Sequence, residues 1–301
     1  MIAAPLLTPL AASAQGQGRG QRGGPAPAAA PQAAQTPPVK RVPIKQSVMS
    51  SVWGSQNSLS IEEKCKILQR IGFKGMDLPT AQQIPVLKQY GLAPAMMTLQ
   101  TGTSFQNGLI RKEIHDMIEM QTKASIDQAV SVGCNHIIML PGEKRGMSPE
   151  EGADNAVAIF NRLKGYAEQK GVTLSMEITN SKVTGDNRTD QVFNHLAWGV
   201  DVCKRVNSPR VKIVYDMYHV QIMDGDIVRN LRDNFDHICH IHVAGVPTRG
   251  DLDDTQEINW RFVANAIADL GYTGYVALET QGQKSADPIK SLEQNFAVLN
   301  V

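Results

Sequence analysis

Glu177 ends the apolar run Leu174-Ser175-Met176, Asp216 follows Val214-Tyr215, His242 sits in His240-Ile241-His242-Val243, and Glu279 follows Val276-Ala277-Leu278. A charge that finishes an apolar strand is costly to bury without a partner. One such residue is an ordinary strand-end cap or ion pair. Four of them, with neighbours between 26 and 39 residues apart, follow the rhythm of a repeated strand-plus-helix unit. If those strand ends faced one bowl, the four groups would converge. Three carboxylates and one imidazole suit a hard-to-borderline divalent ion. The oxygen-rich set favours Mn²⁺ or Mg²⁺ and tolerates Co²⁺, whereas a closed zinc site would use thiolates or several histidines. Beside such an ion, a pair of carboxylates can remove a proton from a carbon next to a carbonyl and return it elsewhere.

A scaffold that brings successive strand ends together is visible in the texture of the chain. From about residue 44, short apolar runs alternate with longer amphipathic ones, the pattern of βα repeats. Eight pairs can be counted. Strands are expected at 45–49, 75–78, 92–97, 136–140, 173–178, 211–215, 237–243 and 275–278. Helices are expected at 60–71, 81–89, 109–132, from 148 onward, and at 189–206, 225–233, 257–270 and 286–298. Ser60 with Glu63 forms a capping-box pair, and Ser148-Pro149-Glu150 is a strong helix start. The order and size predict an α/β fold, a single (β/α)₈ TIM barrel over 43–301. A doubly wound open sheet would carry a Gly-rich turn after its first strand; Val52-Trp53-Gly54-Ser55-Gln56 stands there instead. Trp53 is placed either to wall a substrate pocket or simply to pack.

Lys plus Arg number 30 and Asp plus Glu 29, so no basic surplus points to nucleic acid. Aromatics make up 5%, too few for a stacking surface along single strands. Cys65, Cys134, Cys203 and Cys239 form no C-x-x-C pair and read as small buried hydrophobes, with a disulfide open to an exported protein. Residues 1–14 end in Ala11-Ala12-Ser13-Ala14, a small-residue cleavage pattern, after a short apolar run broken by Pro5 and Pro9. They read as a secretory signal without its basic front, and the expectation is export; without such a signal the chain would stay in the cytoplasm. Residues 15–42 are Gly, Gln, Ala and Pro with little to bury and read as a disordered linker. No stretch reaches the roughly 18 apolar residues of a membrane span.

At three stretches the chain resembles the hydroxypyruvate isomerase family of the xylose-isomerase-like barrels. They are Glu177-Ile178-Thr179-Asn180, the block from Tyr215 to Asp226 (YDMYHVQIMDGD), and the run from His240 to Trp260 with its A-G-V-P-T-R and E-I-N-W parts. The resemblance implies a divalent metal on Glu177, Asp216, His242 and Glu279. It implies that Glu177 and Glu279 are also the catalytic acid/base pair. It places His219 on a substrate oxygen, Arg249 on a substrate-binding arginine and Glu257 near the mouth. Hydroxypyruvate isomerases commonly carry Gln where His242 stands, and ketose 3-epimerases carry His.

The function this implies is a metal-dependent isomerase of a small carbohydrate or keto acid, shifting a proton through an enediolate. A homo-oligomer is compatible with it. Arg249 suits a substrate carboxylate because its fork is bidentate. A ketose 3-epimerase would use the same ion and the same Glu pair. Two other classes make different demands. An abasic-site endonuclease on a related barrel needs more histidines for three zinc ions and a basic face. A non-catalytic sugar-binding barrel would be expected to lose one glutamate, and both are present.

Overall fold

A computed structural model describes residues 40–98, 102–183, 190–281 and 287–301. Eight strands close a barrel in chain order: β1 Lys45–Val48, β2 Gly75–Asp77, β3 Ala93–Thr98, β4 His136–Met139, β5 Thr173–Glu177, β6 Val211–Asp216, β7 Ile238–Val243 and β8 Tyr275–Leu278. All eight pairings are parallel, β1 with β8 included. The helices among the described residues are α1 Ile61–Ile71, α2 Ile84–Gln89, α3 His115–Val132, α4 Pro149–Lys170, α5 Leu196–Val206, α6 Met217–Met223, α7 Ile227–Asp233, α8 Trp260–Asp269 and α9 Pro288–Leu299. This is the TIM barrel expected from the alternating pattern.

Local chemistry sets several of the boundaries. The Ser60 side chain accepts from the Glu63 amide while the Glu63 carboxylate accepts from the Ser60 amide, so two orphan donors at the start of α1 are satisfied together. Ser148 caps α4 ahead of Pro149. Two expected helices start late. The Leu109 and Ile110 amides donate to the carbonyls of Leu140 and Pro141, so α3 opens only at His115, after a 3-10 turn at Lys112–Ile114. The Val192 amide donates to Gly142 and the Thr179 amide to Phe193. Backbone groups spent across loops in this way are not free to continue a helix, and α5 therefore begins at Leu196. The helix α6, absent from the sequence expectation, starts directly on β6 because the Asp216 side chain accepts from the Tyr218 amide at 2.9 Å.

Two apolar layers hold the barrel. Inside it, Met96, Ile138 and Val214 pack with Leu78. Between strands and helices lies a larger layer that includes Leu68, Ile118, Phe160, Val202 and Ile267. The loops above β3 and β4 are joined back to back. A Cβ on Gly108 would collide with the Leu140 carbonyl, and one on Gly142, at φ +100°, would stand 2.8 Å from the Gly108 nitrogen. Glycine is required at both.

The four cysteines are free thiols, three buried and Cys239 half-buried. Burial pushes Cys203 and Cys239 up to about 12, as expected of inert core thiols. No helix among the described residues is long and apolar enough to cross a membrane. The leader expected over 1–14 and the linker over 15–42 lie outside the described residues as far as residue 39. Beyond it, the chain is already tied to the barrel: the Val42 amide donates to the Ala268 carbonyl and Arg41 pairs with Asp269 at 2.7 Å.

Candidate metal centre and active site

Strand register explains why four distant residues meet. Glu177 is level with Val214, Asp216 with His242, and His242 with Ala277. Side chains two apart on a strand share a face. Glu177, Asp216 and His242 therefore point inward at the top of the barrel, and Glu279 joins them from the residue that follows β8. One ligand atom from each of the four lies within 4.8 Å of those of the other three. The His242 Nδ1 is 3.0 Å from Glu177 Oε1 and 2.9 Å from Glu279 Oε2.

Three carboxylates this close in a buried site repel one another, and the ionisation pattern records it. Burial and the neighbouring Glu279 charge, opposed by Arg249, push Asp216 up to about 7. Burial alone would also raise Glu279, but Arg249 and His242 outweigh it and hold that carboxyl well below the usual carboxylate range. Burial alone would lower His242; Glu279, Asp77 and Glu177 together raise it well above its ordinary value. The donor set fits a divalent cation. Glu279 Oε2 is buried and, although close to two positive groups, makes no aligned hydrogen bond. A buried oxygen of this kind is unusual in proteins unless an ion or water satisfies it.

Arg249 and His219 stand against this centre. Arg249 Nη2 is 2.9 Å from Asp216 Oδ2 and 2.6 Å from Glu279 Oε2, and the guanidinium lies 5.1 Å above the Tyr218 ring. Its backbone sits at φ +53°, a left-handed conformation that costs a non-glycine residue about 1 kcal/mol or more. The fold keeps it there with the hydrogen bond from the Gln281 amide to its carbonyl, 2.9 Å. His219, on the first turn of α6, is buried with Nε2 3.3 Å from Asp216 Oδ2. Its tautomer is set from behind. The Asn180 Oδ1 accepts from the Lys182 and Val183 amides, so its Nδ2 must donate to His219 Nδ1, 2.8 Å away. Nε2 then carries the hydrogen that faces Asp216.

A cavity of about 320 Å³ opens over the centre, at the small end of small-molecule sites. Glu177, Arg249, Glu279 and Gln281 line it from the β5–β8 part of the barrel; Met49, Leu78, Ile138, Leu140 and Phe105, with the hydroxyls of Ser51, Thr98 and Thr103, line it from the β1–β4 part. Two sequence candidates sit away from it. Trp53 is packed into the core, 1% exposed, with Lys64 Nζ 5.5 Å from its ring. Glu257 is exposed, accepts from the Gln221 amide at 3.2 Å and lines a separate surface cleft with Asp253 and Asp254.

Asp77 and Asn180 were not among the sequence candidates for function. Asp77 ends β2 and is fully enclosed; it accepts from Ser47 Oγ at 2.6 Å and faces the Nε2 atoms of His240 at 2.6 Å and His242 at 3.4 Å. The available signal was the same one that singled out the four candidate ligands, an acid closing an apolar strand.

The chain is similar to several known proteins. A putative hydroxypyruvate isomerase of Xenopus laevis is 27% identical over 179 residues, 56% of this chain and 63% of that protein. The chain therefore spans less than two thirds of the length of that relative. A 2-oxo-tetronate isomerase of Cupriavidus necator is 32% identical over 113 residues, 38% of this chain and 42% of that one. Among solved structures, the AP endonuclease, family 2, of Brucella melitensis superposes with a TM-score of 0.75 at 21% identity, covering 86% of this chain and all of that one; at this identity the likeness is one of fold. The xylose isomerase-like TIM barrel family matches residues 65–300, and the chain belongs to that family.

Proposed function

We propose that the protein is a divalent-metal-dependent isomerase of small α-hydroxy carbonyl compounds, sugars or keto acids. The observation that carries this is the pairing of Glu177 and Glu279. Both line the cavity, and both flank His242 Nδ1 at about equal distance. Two carboxylates facing one small cavity can together carry a proton between adjacent carbons of a molecule held there. Hydroxypyruvate or a related keto acid is the nearest substrate class, since the relatives are named for such reactions.

Glu177, Asp216, His242 and Glu279 would hold the ion, Mn²⁺ or Mg²⁺, with Co²⁺ as a substitute. When bound, the ion would supply Lewis acidity, lowering the free-energy cost of the negative charge that develops on the substrate oxygens. One ionised glutamate takes the proton from carbon, and that proton passes to the neighbouring carbon directly or by way of the second glutamate, while the hydroxyl proton moves to the former carbonyl oxygen, so that both glutamates end as they began. Arg249, fixed against Tyr218, offers its free N–H groups to substrate oxygens and orients the chain of the substrate. His219 presents an Nε2–H beside Asp216, within reach of the same region. The apolar wall of Leu78, Ile138 and Leu140 keeps water away from the carbanionic intermediate.

His242 favours a second reading, a ketose 3-epimerase, in which the proton returns to the opposite face of the same carbon. The N-terminal pattern adds the proposal that the enzyme works after export; fractionation of the source cells checks it. The decisive experiment is turnover in D₂O by metal-reconstituted protein on a panel of keto acids and ketoses. Glu177→Gln and Glu279→Gln serve as controls. Deuterium at a new carbon marks an isomerase, and deuterium at an inverted carbon marks an epimerase. Binding of sugars without any exchange would sink both readings. Three zinc ions per chain would point to nuclease chemistry instead.

A further inference from the structure

We infer that Asp77 is a positioning residue that fixes the tautomer and ring orientation of His242; this rests on the metal reading above.

A histidine can offer a metal either ring nitrogen, and the hydrogen bond made by the other nitrogen decides which. Around His242 the two nitrogens see different surroundings. Nδ1 faces Glu177 and Glu279 at 3.0 and 2.9 Å, on the cavity side. Nε2 faces the opposite way, 3.4 Å from Asp77 Oδ2, and the ring is wholly buried. A carboxylate there accepts a hydrogen from Nε2, so that when an ion displaces the Nδ1 proton the freed lone pair is the one directed at the ligand cluster. The opposite tautomer would point a lone pair at a carboxylate and an N–H at the cation.

Asp77 is itself held from two directions. Ser47 Oγ, on β1, donates to Oδ1 at 2.6 Å. His240 Nε2 lies 2.6 Å from Oδ2, and its ring stands nearly perpendicular to that of His242, 89° at a centroid distance of 5.1 Å. His240 and His242 are two apart on β7, so both point inward at the same carboxylate oxygen; His242 Nε2 is hydrogen-bonded to it, whereas His240 Nε2 stands close without an aligned hydrogen bond. Neighbouring strands β1 and β2 thus support a ligand that belongs to the opposite half of the barrel. A carboxylate enclosed this completely is retained at a desolvation cost, which is accounted for if it holds a functional group in place.

Carboxylate partners of metal-binding histidines typically contribute about 10–100-fold to metal affinity. The test uses the full chain with zinc as a diamagnetic probe. Two measurements are made: zinc affinity by calorimetry without substrate, and the ring ¹⁵N shifts of His242 in the zinc-loaded protein. The wild type is expected to bind through Nδ1 and to show a protonated Nε2. Asp77→Ala is expected to keep its circular dichroism, to lose about 10–100-fold in zinc affinity, and to lose the sharp Nε2–H resonance. Asp77→Asn, whose amide oxygen can still accept, is expected to fall between the two. Unchanged affinity and an unchanged Nε2–H signal in folded Asp77→Ala would overturn the inference. So would a wild type whose His242 binds zinc through Nε2, a result that needs no variant to fold. A wild type that takes up no zinc at all would instead overturn the metal reading on which the inference rests.

Discussion

The ends of β5 to β8 and the ends of β1 to β4 face the same cavity with unlike chemistry. The first group brings Glu177, Asp216, His242 and Glu279, three of them carboxylates. The second brings Met49, Leu78 and Leu140, with hydroxyls at Ser51, Thr98 and Thr103. Each half makes the other more effective. Charges facing an apolar wall act through a medium of low polarity, where their fields are strong and already oriented. Among the described residues that wall carries no ionisable group, so they add no competing base near a reactive carbon. The one acid among the β1–β4 strand ends, Asp77, lies a layer deeper and is turned toward the ligands rather than the cavity.

If this division of labour holds, lesions in the two halves will differ in kind as well as in size. The largest effect should follow chelation: dialysis against a chelator is expected to abolish turnover, and Mn²⁺ or Mg²⁺ to restore it. Glu177→Gln or Glu279→Gln should then lower kcat by about 10²–10⁴-fold with little change in KM, the usual range for a lost acid or base. A change confined to KM would remove them from proton transfer. Arg249→Met should raise KM by about 10-fold or more for a carboxylate-bearing substrate, as expected when a charge-assisted pair worth about 1.5–3 kcal/mol is lost.

A titration of metal affinity comes next. Asp216, at about 7, holds a proton below that pH that an incoming ion must displace. Affinity is expected to rise about tenfold per unit as pH climbs toward 7 and then to level off with respect to this group; a flat profile over that range would contradict the assignment. The sign for stability runs the same way. In the chelated protein a carboxyl with a raised value loses stability as pH rises from about 4 to 7. The ion should cancel that loss, and melting curves with and without metal would show it. The smallest effect belongs to the apolar half. Leu140→Ala is expected to raise KM by about 5-fold at constant kcat, reflecting about 1 kcal/mol of uniform binding. A matching loss in kcat would mean that this wall also takes part in the transition state.

The charged half was legible in the sequence because residue type and position coincide there. An acid or histidine at the end of an apolar strand is conspicuous, and four in succession have few other uses. The barrel was legible for a related reason, since strand and helix periods differ. The apolar half was not: Leu78 and Leu140 look like any core residue, and only the register tells which of them faces the cavity. Between β2 and β3 that register shifts at Met76 and Asp77, which no local pattern announces. Asp77 was hidden as a single acid outside the run of four. The helix α6 was hidden because its cap, Asp216, also serves as a ligand candidate and sits inside the strand. Trp53, adjacent to the mouth in sequence, is turned into the core by the 3-10 segment Ser50–Gln56.

The contact between Gly108 and Gly142 bears on how this protein could change its substrate. Main chain touches main chain there, and the Leu109 and Ile110 amides bind the Leu140 and Pro141 carbonyls, so the two loops are tied together backbone to backbone. Any larger residue at either position would wedge them apart and alter the whole rim at once. Gradual adaptation is then channelled into the side chains the loops carry, Thr103 and Phe105 foremost. A library built at those two positions should yield folded enzymes with shifted preference, while one built at the glycines should yield mostly unfolded chains.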